Sequence, residues 1–235
     1  MGLRVIRAVL FDLGDTVFKL NPMADVTDEY AKFLGGEGVA DSEAEAVRVV
    51  ESLRKYWAGY GRGQLEELPI AEIASPFIGS DARADRFAAR LDALLAEADV
   101  ARWEAGAGRD ELFSALRAAG IRVGFVSNTL TAPDLMRGRL EEFELLHHAE
   151  VAVFSVEHRV RKPNPEIFRI ALRGLGLEPT EVVFVGDRVR EDVRGPQSLG
   201  MRSILTHEFR QEDPADSNPF GVVQHLSEVV GLVTG

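Results

Sequence analysis

The chain has 235 residues, 46% of them apolar, and a formal net charge of −11, so it can bury a real core but is too acidic for a general nucleic-acid binder. It contains no cysteine, which excludes disulfides and thiolate metal sites. No stretch approaches the roughly 18 apolar residues of a membrane span, and the apolar run beside Arg4 and Arg7 is too brief for a signal peptide. The expectation is a cytoplasmic protein with a small-molecule partner, neither nucleic acid nor membrane. Any phosphate it binds must be small and matched by local charge.

The first apolar run, residues 8–11, reads as a buried strand that stops at Asp12, inside Phe11-Asp12-Leu13-Gly14-Asp15-Thr16. No comparable strand is expected before residues 121–126. Asn21-Pro22 reads as the N-cap and first position of a helix carrying Val26, Tyr30, Phe33 and Leu34 on one face. Asp41 or Ser42 opens a second helix with the buried stripe Ala46, Val50, Leu53 and Trp57, and a third starts near Asp81 with Phe87, Leu91, Leu94 and Leu95. Gly35-Gly36 and Gly59-Tyr60-Gly61-Arg62-Gly63 are the breaks. The absence of strands predicts a separate α-helical unit, residues 18–101, inserted into a core formed by residues 1–17 and 102–235.

Beyond Ala105 the pattern alternates. A helix with Leu112, Phe113 and Leu116 ends at Gly120. A strand runs to Ser127-Asn128, and a helix with Leu135, Leu140 and Phe143 follows. Residues 151–154 form a strand that leads to Ser155 and then to Lys162-Pro163-Asn164-Pro165, where another helix begins. Residues 182–185 end in Gly186-Asp187, with Asp192 five positions on. A strand at 202–205, a polar loop over 209–220 and an edge strand at Val222-Val223 complete the chain. Such alternation predicts an α/β fold with a doubly wound parallel sheet. Ligands bind at the carboxyl ends of its strands. Asp12, Ser127, Lys162 and Asp187 are therefore expected in one crevice, a set suited to attack on a phosphate ester by an aspartate beside a magnesium ion.

These four segments, in this order, resemble the motifs of the haloacid dehalogenase superfamily, whose members are mostly phosphatases with a Rossmann-like core. The position of the insertion is similar to that of the helical cap in the family's first subclass. The resemblance implies that Asp12 is the nucleophile and forms an aspartyl-phosphate. It implies Mg²⁺ as cofactor, held by Asp12, the Gly14 carbonyl and Asp187, with Asp192 completing the set by orienting a metal-bound water or Lys162. Lys162 offsets charge in the transition state. Ser127 and the Asn128 N–H hold a phosphoryl oxygen.

One departure stands out. Most phosphatases of the family carry an aspartate two residues after the nucleophile, which protonates the leaving group; here that residue is Gly14. Water, Asp15 or a residue of the cap must then supply the proton. The departure leaves two other readings open: a weakly catalytic protein that binds a phosphorylated metabolite, and a hydrolase of the 2-haloacid dehalogenase type. Arg159 replaces the glycine that many relatives carry ahead of the lysine. Around the glycine-rich break, Tyr56, Trp57, Tyr60 and Arg62 line the expected mouth, and Arg62 is the expected substrate contact.

Overall fold

The computed structural model describes residues 5–20, 23–59, 63–79, 82–100 and 103–235. The helix start assigned to Asn21 and Pro22, the start near Asp81, and Tyr60 and Arg62 at the mouth lie outside these residues.

Six parallel strands form the central sheet: β1 (Ala8–Phe11), β4 (Arg122–Ser127), β5 (Ala149–Phe154), β6 (Val182–Gly186), β7 (Arg202–Thr206) and β8 (Gly221–Val223), in the order β5-β4-β1-β6-β7-β8. The two intervening strands, β2 (Phe18–Lys19) and β3 (Glu104–Ala105), pair antiparallel as a separate ribbon. This ribbon, which apolar periodicity did not announce, joins the two ends of the insertion.

The apolar runs become strands because both faces of the sheet are covered. Along β1, Val9 and Phe11 enter one cluster with Phe113, Phe125 and Val185. Ala8 and Leu10, pointing the other way, enter a second with Phe168, Leu172 and Phe184. This period of two places helix α5 (Arg109–Ala118) on one face and α8 (Pro165–Leu175) on the other. β1 is the switch point: the chain adds β4 and β5 on one side, then returns to add β6 on the other, opening a crevice at the carboxyl ends.

The insertion consists of α1 (Thr27–Gly36), α2 (Ser42–Ala58), α3 (Ile70–Ile78) and α4 (Ala82–Val100). These helices share their own apolar cluster, including Tyr30, Leu34, Val50, Leu53, Phe87 and Leu91, with Leu130 of the core packed into it. Trp57 departs from the expected stripe. Val49 takes the buried place beside Val50, and Trp57 is 40% exposed.

Candidate active site

Asp12 follows β1 directly, and its main-chain N–H donates to the Val185 carbonyl at 2.9 Å, extending the sheet pairing by one residue. A tight turn follows, with the N–H groups of Val17 and Phe18 both donating to the Leu13 carbonyl. Thr16 is buried in the turn and donates its hydroxyl to Asp12 Oδ2 at 3.4 Å.

Lys162 Nζ sits 2.6 Å from Asp12 Oδ1 and 2.8 Å from Asp192 Oδ1. All three groups are nearly excluded from water, Lys162 at 2% exposure. Burial pulls its ammonium down, but the two carboxylates outweigh that and hold it above the ordinary lysine value. Burial pushes Asp12 up to about 6, against the Lys162 charge, which pulls it down. Burial, then the Asp192 and Asp12 charges, push Asp187 up to about 8.

Asn164 caps α8 by accepting the Glu166 N–H at 3.0 Å, and Pro165 occupies the first helical position, so the helix begins three residues after Lys162. Asn128 fixes the lysine from the other side. Its Oδ1 accepts the Lys162 N–H at 2.8 Å and its Nδ2 donates to the Lys162 carbonyl at 3.1 Å. The Asn128 side chain is thus spent on the lysine backbone, and only its main chain remains for a ligand. Ser127, at the end of β4, is buried at the wall of the crevice.

Asp192 enters through a π-helical turn, Val189–Arg194. Gly186 makes room for it, since a Cβ there would collide with the Asp192 side chain. Asp192 Oδ2 accepts the Arg188 N–H at 3.0 Å and Oδ1 faces Lys162. Both oxygens are engaged, which suits the orienting role expected of it.

Carboxylate oxygens of Asp12, Asp187 and Asp192 lie within 4.8 Å of one another. Two oxygens bound to one magnesium ion at 2.0–2.1 Å are at most about 4.2 Å apart, so the gap to a shared ion is small. Asp187 Oδ1 is buried without a hydrogen-bond partner, an orphan acceptor that a cation would satisfy. The donor set, hard oxygens only, fits a magnesium-type ion. Gly14 lines the same crevice.

Both carboxylate oxygens of Asp15 are held by neighbouring groups. It adopts a left-handed φ of 54°. Its Oδ1 accepts the Leu20 N–H at 2.9 Å and its Oδ2 meets Arg210 Nη2 at 2.6 Å. Arg210 Nε in turn lies 2.7 Å from Asp187 Oδ2. Asp15 is absent from the crevice wall, and both its oxygens are committed elsewhere, so the geometry does not support it as the replacement acid. The vacant volume at Gly14 is also filled, because a Cβ there would collide with the Leu20 side chain.

The crevice encloses about 240 Å³ and is walled by Trp57, Trp103, Leu20 and Met136 as well as by the polar residues above, with Arg161 and Arg188 also lining it. Sequence reasoning missed Trp103, Arg161, Arg188 and Arg210. Arg161 and Arg188 each carried one usable signal, their places beside Lys162 and Asp187; Trp103 and Arg210 sit in segments without motif or periodicity. Arg159 takes φ 55°, the conformation glycine enters freely, and its guanidinium pairs with Glu66 and Glu72 of the insertion. It therefore joins the two units rather than adding a cation to the crevice.

A sequence model described as haloacid dehalogenase-like hydrolase matches residues 6–200. The chain is 33% identical to a phosphoserine phosphatase of Thermus thermophilus, across 97% of this chain and 92% of the other. It is 27% identical to a glyceraldehyde 3-phosphate phosphatase of Methanopyrus kandleri, across 91% and 89%. Among solved structures, a HAD phosphatase from Thermococcus onnurineus superposes with a TM-score of 0.66 at 24% identity, covering 98% of this chain and 99% of that one. A 2-haloacid dehalogenase from Pseudomonas syringae gives 0.70 at 19% identity, covering 97% and 98%; at these identities the likeness is one of fold.

Proposed function

Because the chain belongs to the haloacid dehalogenase-like hydrolases, we propose that it is a magnesium-dependent phosphatase acting on small phosphorylated metabolites through an aspartyl-phosphate on Asp12. The observation that carries this reading is the convergence of Asp187 with Asp12, Lys162 and Asp192 beside a crevice that the last three line together with Ser127. Relatives named for phosphoserine and glyceraldehyde 3-phosphate support a small substrate. So does the volume of about 240 Å³, which falls below the common range for drug-sized ligands.

In this reading an Asp12 oxygen attacks phosphorus, and the bond to the ester oxygen breaks with its electron pair left on that oxygen. Its proton comes from water, since Gly14 offers no acid and Asp15 is held by Arg210. A second water then attacks phosphorus, gives its proton to solvent, and releases phosphate with Asp12 restored. Lys162 stays an ammonium throughout and offsets the charge gathering beside Asp12. The Ser127 hydroxyl and the Asn128 N–H hold a non-bridging oxygen. Asp12, the Gly14 carbonyl and Asp187 would hold the magnesium ion, which when bound would supply the charge relief that attack on a phosphate dianion needs. Residues 18–101 act as the cap that closes over the ester and excludes bulk water.

The test is phosphate release from p-nitrophenyl phosphate and from a panel including phosphoserine and glyceraldehyde 3-phosphate, with and without Mg²⁺. Turnover that needs the metal and disappears in Asp12→Asn is expected. Tight ester binding without turnover would replace the enzyme with a binding protein.

A further inference from the structure

Glu67 belongs to the inserted unit, yet it is fully buried against the core. A buried carboxylate is costly unless it is paired and hydrogen-bonded, and the partners of Glu67 are informative. Its Oε2 accepts the Ser155 hydroxyl at 2.7 Å. Ser155 Oγ in turn accepts the Thr129 N–H at 2.8 Å, which a hydroxyl does while donating its single hydrogen elsewhere. The same Oε2 lies 3.9 Å from Arg161 Nε, a contact between two buried groups. Along the backbone, Glu67 N–H donates to the Arg159 carbonyl at 3.3 Å, and Arg161 N–H donates to the Leu65 carbonyl at 3.1 Å. One residue of the insertion therefore reaches two core loops. The first is Ser127-Asn128-Thr129, and the second is Arg161-Lys162; both line the crevice.

We propose that Glu67 is a positioning residue that makes the setting of these two loops depend on the cap being seated. With the cap segment in place, Ser155 donates to Glu67 and presents its lone pair to the Thr129 amide, fixing the loop of Ser127. The Glu67 charge holds Arg161, and with it the start of the Lys162 segment. Withdrawing Glu67 takes away the buried carboxylate that faces Arg161 and lets Ser155 turn to the Thr129 carbonyl, 3.2 Å from its Oγ. Removing one member of a buried charged pair is strongly destabilising, and a shift of about 1 Å in a reacting group can cost about 10²-fold in rate. The proposal rests on the phosphatase reading of Asp12 and Lys162.

Two measurements test it on the full chain. The first is steady-state hydrolysis of p-nitrophenyl phosphate with Mg²⁺ by wild type, Glu67→Ala, Glu67→Gln, Ser155→Ala and the Glu67→Ala/Ser155→Ala double variant. The second is orthovanadate binding, read by intrinsic fluorescence, because the chain's two tryptophans both line the crevice. Glu67→Ala is expected to lose about 10²-fold in kcat with KM changed less than threefold, and to bind orthovanadate correspondingly weakly. Ser155→Ala is expected to lose about tenfold, and the double variant to be no worse than Glu67→Ala, because the two act in one chain of contacts. A folded Glu67→Ala with kcat within twofold of wild type overturns the proposal, as does a double-variant loss equal to the product of the single losses. Should Glu67→Ala not fold, Glu67→Gln and Ser155→Ala carry the same comparison. If wild type hydrolyses no ester, the phosphatase reading fails by itself, and unweakened vanadate binding in Ser155→Ala and Glu67→Gln then overturns the Glu67 proposal separately.

Discussion

Gly14 stands where the family resemblance led to the expectation of an aspartate, and the volume that a side chain would need there is taken. Leu20 occupies the volume, while the neighbouring Asp15 turns through a left-handed φ to grip Arg210. Two outcomes follow. Gly14→Asp alone gains little, because the new side chain meets Leu20; combined with Leu20→Ala it is expected to raise turnover of alkyl phosphates, by up to about 10²-fold. Turnover of p-nitrophenyl phosphate, whose leaving group needs no proton, stays level, so the ratio of the two rates is the measurement. Asp15→Asn is expected to leave the acidic and alkaline limbs of the rate profile unmoved; loss of a limb would return Asp15 to catalysis. Asp12, Ser127 and Asp187 could be brought together from the sequence because each stands at the end of an apolar run, where a parallel sheet delivers its ligands; Lys162, eight residues past its strand, was carried by the string Lys162-Pro163-Asn164-Pro165. Arg210 and Glu67 were not legible. They sit in polar segments whose burial is set by tertiary contacts alone.

Among the elements, the sheet strands could be read because burial on both faces demands uninterrupted apolar residues. The β2–β3 ribbon has two residues per strand, too few to leave a period. Helix α3 escaped notice because its sequence, Ile70–Ile78, is short and contains Pro76. Of the two places expected for Trp57, the buried stripe and the mouth, the structure has the second, because helical spacing assigns a face but not whether that face meets a core or a cavity. Helix α4 joins the core through Asp92, which accepts the Ala132 N–H at 2.8 Å just ahead of α6 (Pro133–Glu142). Burial pushes the Asp92 carboxyl up to about 6, only partly offset by that hydrogen bond. A carboxyl raised in the folded state stabilises the fold below its unfolded value near 3.8 and loses that contribution as pH rises through 6. One pKa unit corresponds to about 1.4 kcal/mol. Asp92→Asn keeps an acceptor for Ala132 and removes the titration. Denaturation at pH 4 and pH 8 is expected to show the variant gaining on wild type by roughly 2–3 kcal/mol between them; a constant difference would refute this.

For the whole molecule, a strongly acidic chain gathers three buried carboxylates, two of them on the Lys162 ammonium and the third beside Arg210. That concentration of charge is the condition under which a divalent cation stabilises the fold. Mg²⁺ is therefore expected to raise the thermal midpoint of wild type, by an amount equivalent to about 2.7 kcal/mol at 100 times its Kd. Asp187→Asn should abolish most of the shift, and an equal shift in both proteins would place the ion elsewhere. The expectation of a helical segment between the first two sheet strands came from the lack of long apolar runs there, and α1 to α4 lie in it; the contacts of that segment with the core through Glu67 and Asp92 had no signature in the sequence, and Arg159 stood out only as a departure from glycine.

The central claim is that Asp12 receives the phosphoryl group. Rapid acid quench of wild type during turnover of p-nitrophenyl phosphate with Mg²⁺, followed by peptide mass mapping, addresses it directly. One phosphoryl group is expected on the peptide containing Asp12 in wild type and none in Asp12→Asn. Steady phosphate release with that peptide unmodified, and with Asp12→Asn still active, would contradict the claim.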